Sequence, residues 1–192
     1  MPRVCALAFC SLLFALCSSA SGEIIDRVLA ILPGQIITQS DVQAALNLGI
    51  VDVPSEGDRV AAGLSALIDR ILMLNEVRRV APPEPSPAAV EARIARIRER
   101  FDSPASLASV LLAGGIDEGV LRTYAADDIR LSSYLEDRFA AASQPTEQEI
   151  KQAGEASRQR LADERRRSLI GAWTSELRRR ADVTVVNLES KK

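Results

Sequence analysis

The stretch RVLAILPGQIITQSDVQAAL, Arg27 to Leu46, carries the most explicit local instructions in the chain. Val28, Leu29, Ile31 and Leu32 precede Pro33-Gly34, and Ile36 and Ile37 follow it. Proline presets φ at the first central position of a turn and glycine accepts positive φ at the second, so the segment predicts a short hairpin. Thr38 or Ser40 then caps a helix running to about Leu48. A two-stranded hairpin is marginal in water. It needs a third strand or a helix to cover it, and the far end of the chain supplies one. VTVV, Val183 to Val186, is a β-branched run of strand character. The two ends of the chain are therefore expected to meet in a small sheet.

Between these ends the sequence reads as helix, which makes the expected fold mainly α. Ser55 to Asp58 resembles a capping box and opens a helix to about Val80. On a helical wheel Val60, Leu64, Leu67, Ile68, Ile71, Leu72 and Leu74 cover one broad face, while Met73, Val77 and Val80 fall nearly opposite. A helix apolar on both sides is central to its domain. Met73, Val77 and Val80 lie off the main stripe and are the candidate partner-binding residues, methionine being adaptable to varied surfaces. PPEPSP is a short stiff connector ending in Ser86-Pro87, a cap followed by proline at the first helical position. The helix after it, to about Phe101, carries Val90, Ile94, Ile97 and Phe101 on one stripe. Ser103-Pro104 starts a shorter helix that ends at Gly114-Gly115. Asp117 caps the next, to about Ala142, with a stripe of Val120, Leu121, Tyr124, Leu131, Tyr134, Leu135 and Phe139. Thr146 and Glu149 form a T-x-x-E capping box that opens a long last helix. Its first half is polar and expected in solvent. Its second half, with Leu169, Ile170, Trp173 and Leu177, is expected to dock, Trp173 pinning it to the body.

The opening MPRVCALAFCSLLFALCSSASG has one arginine, an apolar stretch from Val4 to Leu16, then small residues. This is the pattern of a secretory signal peptide, residues 1–22, with cleavage expected near Ala20 or Gly22. The apolar run is short of the roughly 20 residues a membrane-spanning helix needs. Leu16 stands before Cys17 where a lipoprotein signal would carry a small residue. The expected location is the periplasm, with residues 23–192 as a single domain: a helical core over 23–145, then a returning helix and closing strand over 146–192. All 3 cysteines, Cys5, Cys10 and Cys17, lie in the leader, and the chain has 0 histidines. The exported part thus lacks disulfides, thiol nucleophiles, imidazole bases and the usual zinc ligands. No enzyme activity, metal or cofactor is expected. Of 24 basic residues one, Arg3, leaves with the leader; the remaining 23 face 26 acidic residues, a balance of −3. No global field favours nucleic acid or anionic lipid. Hydrophobic residues make up 47% but aromatics only 4%, so the core is aliphatic.

Two local features invite a chemical reading. Asp127 and Asp128 fall within the apolar stripe, yet no histidine, lysine or nucleophile completes an acid/base constellation, so they are expected to face a helix end or to pair with an arginine such as Arg138. The runs Arg165-Arg166-Arg167 and Arg178-Arg179-Arg180 resemble anion sites. Asp163 to Arg167 and Glu176 to Arg180 are helical i, i+4 pairs, however, which reads as a solvated helix face.

Taken in order, the entry hairpin and helix start RVLAILPGQIITQSDV, the central ALIDRILMLNEVRR, the GIDEGVLRTYAADDIR helix, the PTEQEI box and the closing WTSELRRRADVTVV resemble the SurA-like periplasmic chaperones. Pro33-Gly34 replaces that family's usual Asn-Gly turn. Only the polar segment from about Lys151 to Ser168 stands where family members usually carry a parvulin-type prolyl isomerase domain. The resemblance implies a holdase that binds unfolded exported polypeptides, outer-membrane protein precursors among them. It would need no ATP or metal, and prolyl isomerase activity is not expected. The alternative is an adaptor or structural protein that uses the same helical cradle for one specific partner.

Overall fold

The computed structural model describes residues 26–186; the expected leader, with its cleavage site and three cysteines, lies outside the described residues. The hairpin forms as β1 (Val28–Leu32) and β2 (Gln35–Thr38), antiparallel, with Ile31 opposite Ile36 and Leu32 opposite Gln35. Gly34 takes φ 77 at the turn. The third strand is β3 (Thr184–Val185), which pairs antiparallel with β1 through Ala30–Val185 and Ile31–Thr184 and gives the sheet order β2-β1-β3. The two ends of the described region meet, and the fold is mainly helical with a small three-stranded antiparallel sheet.

The helices start where side chains satisfy their first amides. α1 (Gln39–Asn47) is capped by Thr38 in a reciprocal box with Asp41. α2 (Arg59–Val80) is capped by Asp58, whose carboxylate accepts from the amides of Val60 and Ala61, both at 3.0 Å. Ser55 is not the cap: Gly57, just before Asp58, sits at φ 89, where a right-handed helix does not pass. α3 (Pro87–Arg98), α4 (Pro104–Ala113) and α5 (Glu118–Phe139) are capped by Ser86, Ser103 and Asp117. The expected single last helix is instead two. α6 (Glu147–Ala153), capped by the Thr146–Glu149 box, ends at Gly154, and α7 (Arg158–Arg180) follows after one 3-10 turn. Gly154 sits at φ 84, ψ 150, a region that side-chain-bearing residues essentially do not enter, and no helix passes through it.

Three clusters fill the interior. The first joins the inner face of the sheet (Leu29, Ala30, Leu32, Ile37) to Val42 and Leu46 of α1, Leu64, Leu67, Ile68, Ile71 and Leu72 of α2, and Leu177 of α7. The second gathers Ala44 and Leu48 with Ile94 and Ile97 of α3, Leu107 of α4, and Leu121 and Ala125 of α5. The third is small: Leu74, Val77 and Leu131, flanked by Met73, Tyr134 and Leu135. α2 meets α1, α5 and α7, the central position its two apolar sides demand.

Candidate functional site

The last turn of α2, the proline connector and the outer side of α5 enclose an open groove of about 830 Å³. Val80, Pro82, Pro83, Pro85, Ile129 and Tyr134 supply its apolar surface, and Arg130, Ser133, Asp137 and Arg138 its polar rim. The prolines hold the connector extended and donate no hydrogen bond, so this wall stays apolar with little entropy to lose. Ala81, at the head of the connector, is the only non-glycine described residue with positive φ, at 49°. Pro82 disfavours the right-handed helical region for the residue before it, and the left-handed one costs an alanine about 1–2 kcal/mol.

The three candidate contact residues are separated by the structure. Val80 is 61% exposed and lines the groove. Val77, one turn earlier, is 0% exposed in the third cluster, so in this conformation its side chain is core. Met73 is half-buried and packs against the first and third clusters, its Sδ 3.6 Å from the Thr174 hydroxyl, which donates to the Ile170 carbonyl at 2.8 Å. The wheel placed all three on one side of α2, but α5 covers part of that side.

Beyond Val80 the groove draws on the connector prolines, on Tyr134, which periodicity read as core, and on Ile129, Arg130, Ser133 and Asp137, to which it gave no role. Tyr134 stands in an aromatic group with Trp173 and Phe139, ring centroids 5.9 and 6.0 Å from the tryptophan. The Arg138 guanidinium lies 5.1, 5.5 and 5.8 Å from the centroids of Trp173, Phe139 and Tyr134, and its Nη1 donates to the Tyr134 hydroxyl at 3.0 Å. Arg138 is therefore not the partner of the α5 aspartates. The spacing Tyr134 to Arg138, one helical turn, hinted at this contact; Trp173 comes from a remote helix.

Asp127 and Asp128 do pair with arginines, but with others. Asp127 accepts from Arg78 at 2.9 Å and from Arg130 at 3.0 Å. Asp128 accepts from Arg70 at 3.0 Å and from Arg93 at 2.6 Å. Consecutive helical residues point about 100° apart, which lets two adjacent carboxylates serve α2 twice and α3 once. Arg130 also reaches Glu84 in the connector. Behind them a cavity of about 90 Å³ is bordered by Gln35, Asp41, Arg70 and Tyr124. Burial, and then the Asp41 carboxylate, push the Tyr124 hydroxyl above its ordinary value, so it stays a neutral phenol. Each carboxylate here faces guanidinium groups rather than a proton-transfer partner, and the arrangement ties helices together.

The arginine runs are spread over separate partners. Arg165 pairs with Glu149 and Arg166 with Asp163; Arg178 pairs with Asp69, and Arg179 and Arg180 share Glu176. The i, i+4 partner of Glu176 is as expected, whereas Asp163 pairs with Arg166 rather than Arg167. No protein-family model matches the chain, and no curated protein matches it.

Proposed function

We propose that this chain is a periplasmic holdase that binds unfolded exported polypeptides, such as outer-membrane protein precursors, in the groove beside Val80, without ATP, metal or prolyl isomerase activity. One observation carries the reading: an open apolar groove of about 830 Å³ with a valine left 61% exposed on its wall. Its polar rim supplies both donors and acceptors. Such a surface suits an extended chain, which offers scattered apolar side chains and unpaired backbone groups. Burial there returns about 25 cal/mol per Å² without demanding a sequence. The leader-like N-terminus and the ordered resemblance to SurA-like chaperones support the same reading.

The test is aggregation of a urea-denatured β-barrel protein on dilution, with and without a molar equivalent of this chain, repeated with an unrelated client. Light scattering should fall for both clients and be indifferent to ATP. Val80→Asn should weaken protection by roughly fivefold, the loss of about 1 kcal/mol of apolar contact, with the melting temperature unchanged. Equal scattering in all samples would refute the holdase and leave the single-partner adaptor as the better reading.

A further inference from the structure

We infer that the connector Ala81–Pro85 is a hinged strap over a side-chain pocket, and that lifting it joins this pocket to the groove. Beneath the connector lies a second cavity of about 230 Å³, with Leu74 and Val77 at its apolar floor and Asp127 and Arg130 at its mouth. Ala81, Pro82 and Arg130 border both spaces, so the connector is the partition between them. The strap is lightly fastened. Its one ion pair among the described residues joins Arg130 to Glu84, whose side chain is 81% exposed, and exposed pairs of this kind hold little. Its proline amides donate no hydrogen bonds, and its hinge, Ala81, whose amide stays on the Val77 and Arg78 carbonyls at 3.2 Å as the cap of α2, is held in the left-handed region at φ 49. Relaxing that one residue relieves strain while moving the chain that follows it. α2 and α5 need not separate, since Asp127 stays bound to Arg78 and Asp128 to Arg70 and Arg93.

The pocket selects by chemistry. Its mouth charges are already matched, Arg78 and Arg130 against Asp127 and Glu84, so the entrant supplies none. Its floor is aliphatic. The occupant is one uncharged apolar side chain of a polypeptide lying in the groove, a statement that rests on the holdase reading; the strap's motion does not. Val77, sealed when the strap is down, then becomes a contact residue.

With no cysteine beyond Cys17, the exported chain accepts a single reporter thiol. Val77→Cys should react with a thiol reagent in native buffer at least about tenfold faster than Ile68→Cys, a core position that opens only with the whole fold. Adding Glu84→Gln, a surface change, should accelerate Val77→Cys by roughly threefold and leave Ile68→Cys unaltered. Equal rates at the two positions, or acceleration absent with Glu84→Gln, would overturn the strap. Unfolded client should protect Val77→Cys from the reagent. If labelling follows the strap but a client whose aggregation the chain suppresses does not protect it, the strap and the holdase stand and the pocket's occupant is refuted.

Discussion

Removing residues 183–192 should cost this protein a large part of its stability although it deletes only a two-residue strand. β3 completes the sheet on the free side of β1: Val185 pairs with Ala30, Thr184 with Ile31, and the Val186 amide donates to the Leu29 carbonyl at 2.9 Å. Ala30 is fully buried, so truncation uncovers backbone groups that have no other partner on that edge among the described residues. With about 1 kcal/mol net for each of two or three hydrogen bonds, and about 1 kcal/mol for half-buried Val183 on the first cluster, the loss is about 3–4 kcal/mol. For a domain of this size the melting temperature should fall by roughly 5–15 °C. Val185, 52% exposed, contributes its backbone rather than its side chain. Val186→Pro, which deletes one donor, should therefore reproduce about a third of the effect. Urea denaturation followed by far-ultraviolet circular dichroism, together with thermal melting, measures both variants. An unchanged urea midpoint in the truncated chain would refute the argument that the hairpin depends on its third strand.

Two further outcomes follow from the α6–α7 region. The Thr146 amide and hydroxyl, followed by the Arg165 guanidinium, hold the Glu149 carboxyl below its usual value of 4.5. A carboxyl with a depressed folded pKa contributes stability that is complete above its unfolded value and is lost as the pH falls through the folded one. Carbon-13 titration of Glu149 should thus give a midpoint under 4.5 that returns toward 4.5 in Thr146→Val, and the α6 cap should weaken only in the acid limb. Gly154→Ala should lower stability by about 1–3 kcal/mol, because the chain must hold φ 84 there. A variant that is instead more stable and more helical would show that a continuous helix is available to this segment.

The features that could be read directly are those whose energetics close within a few residues. Thr38, Ser86-Pro87, Ser103-Pro104, Asp117 and the Thr146–Glu149 box announce helix starts because a cap satisfies amides two or three positions away. Pro33-Gly34 announces the turn for the same reason, and the need of a lone hairpin for a third strand pointed correctly to VTVV. Gly154 was equally local, but a glycine inside a polar helical run carries no sign of the φ it adopts. What periodicity could not assign is which neighbour covers an apolar face. Val77 and Val80 lie on the same side of α2, one helical turn apart; Leu131 of α5 buries the first and the connector leaves the second exposed. Arg130 sits one turn from Asp127, but the other partners of the aspartate pair stand 35 to 58 residues away along the chain in Arg93, Arg78 and Arg70, a choice made by helix packing. Caps and turns are short-range contacts written into adjacent residues, whereas burial and ion pairing are properties of surfaces, settled only when distant helices are brought together.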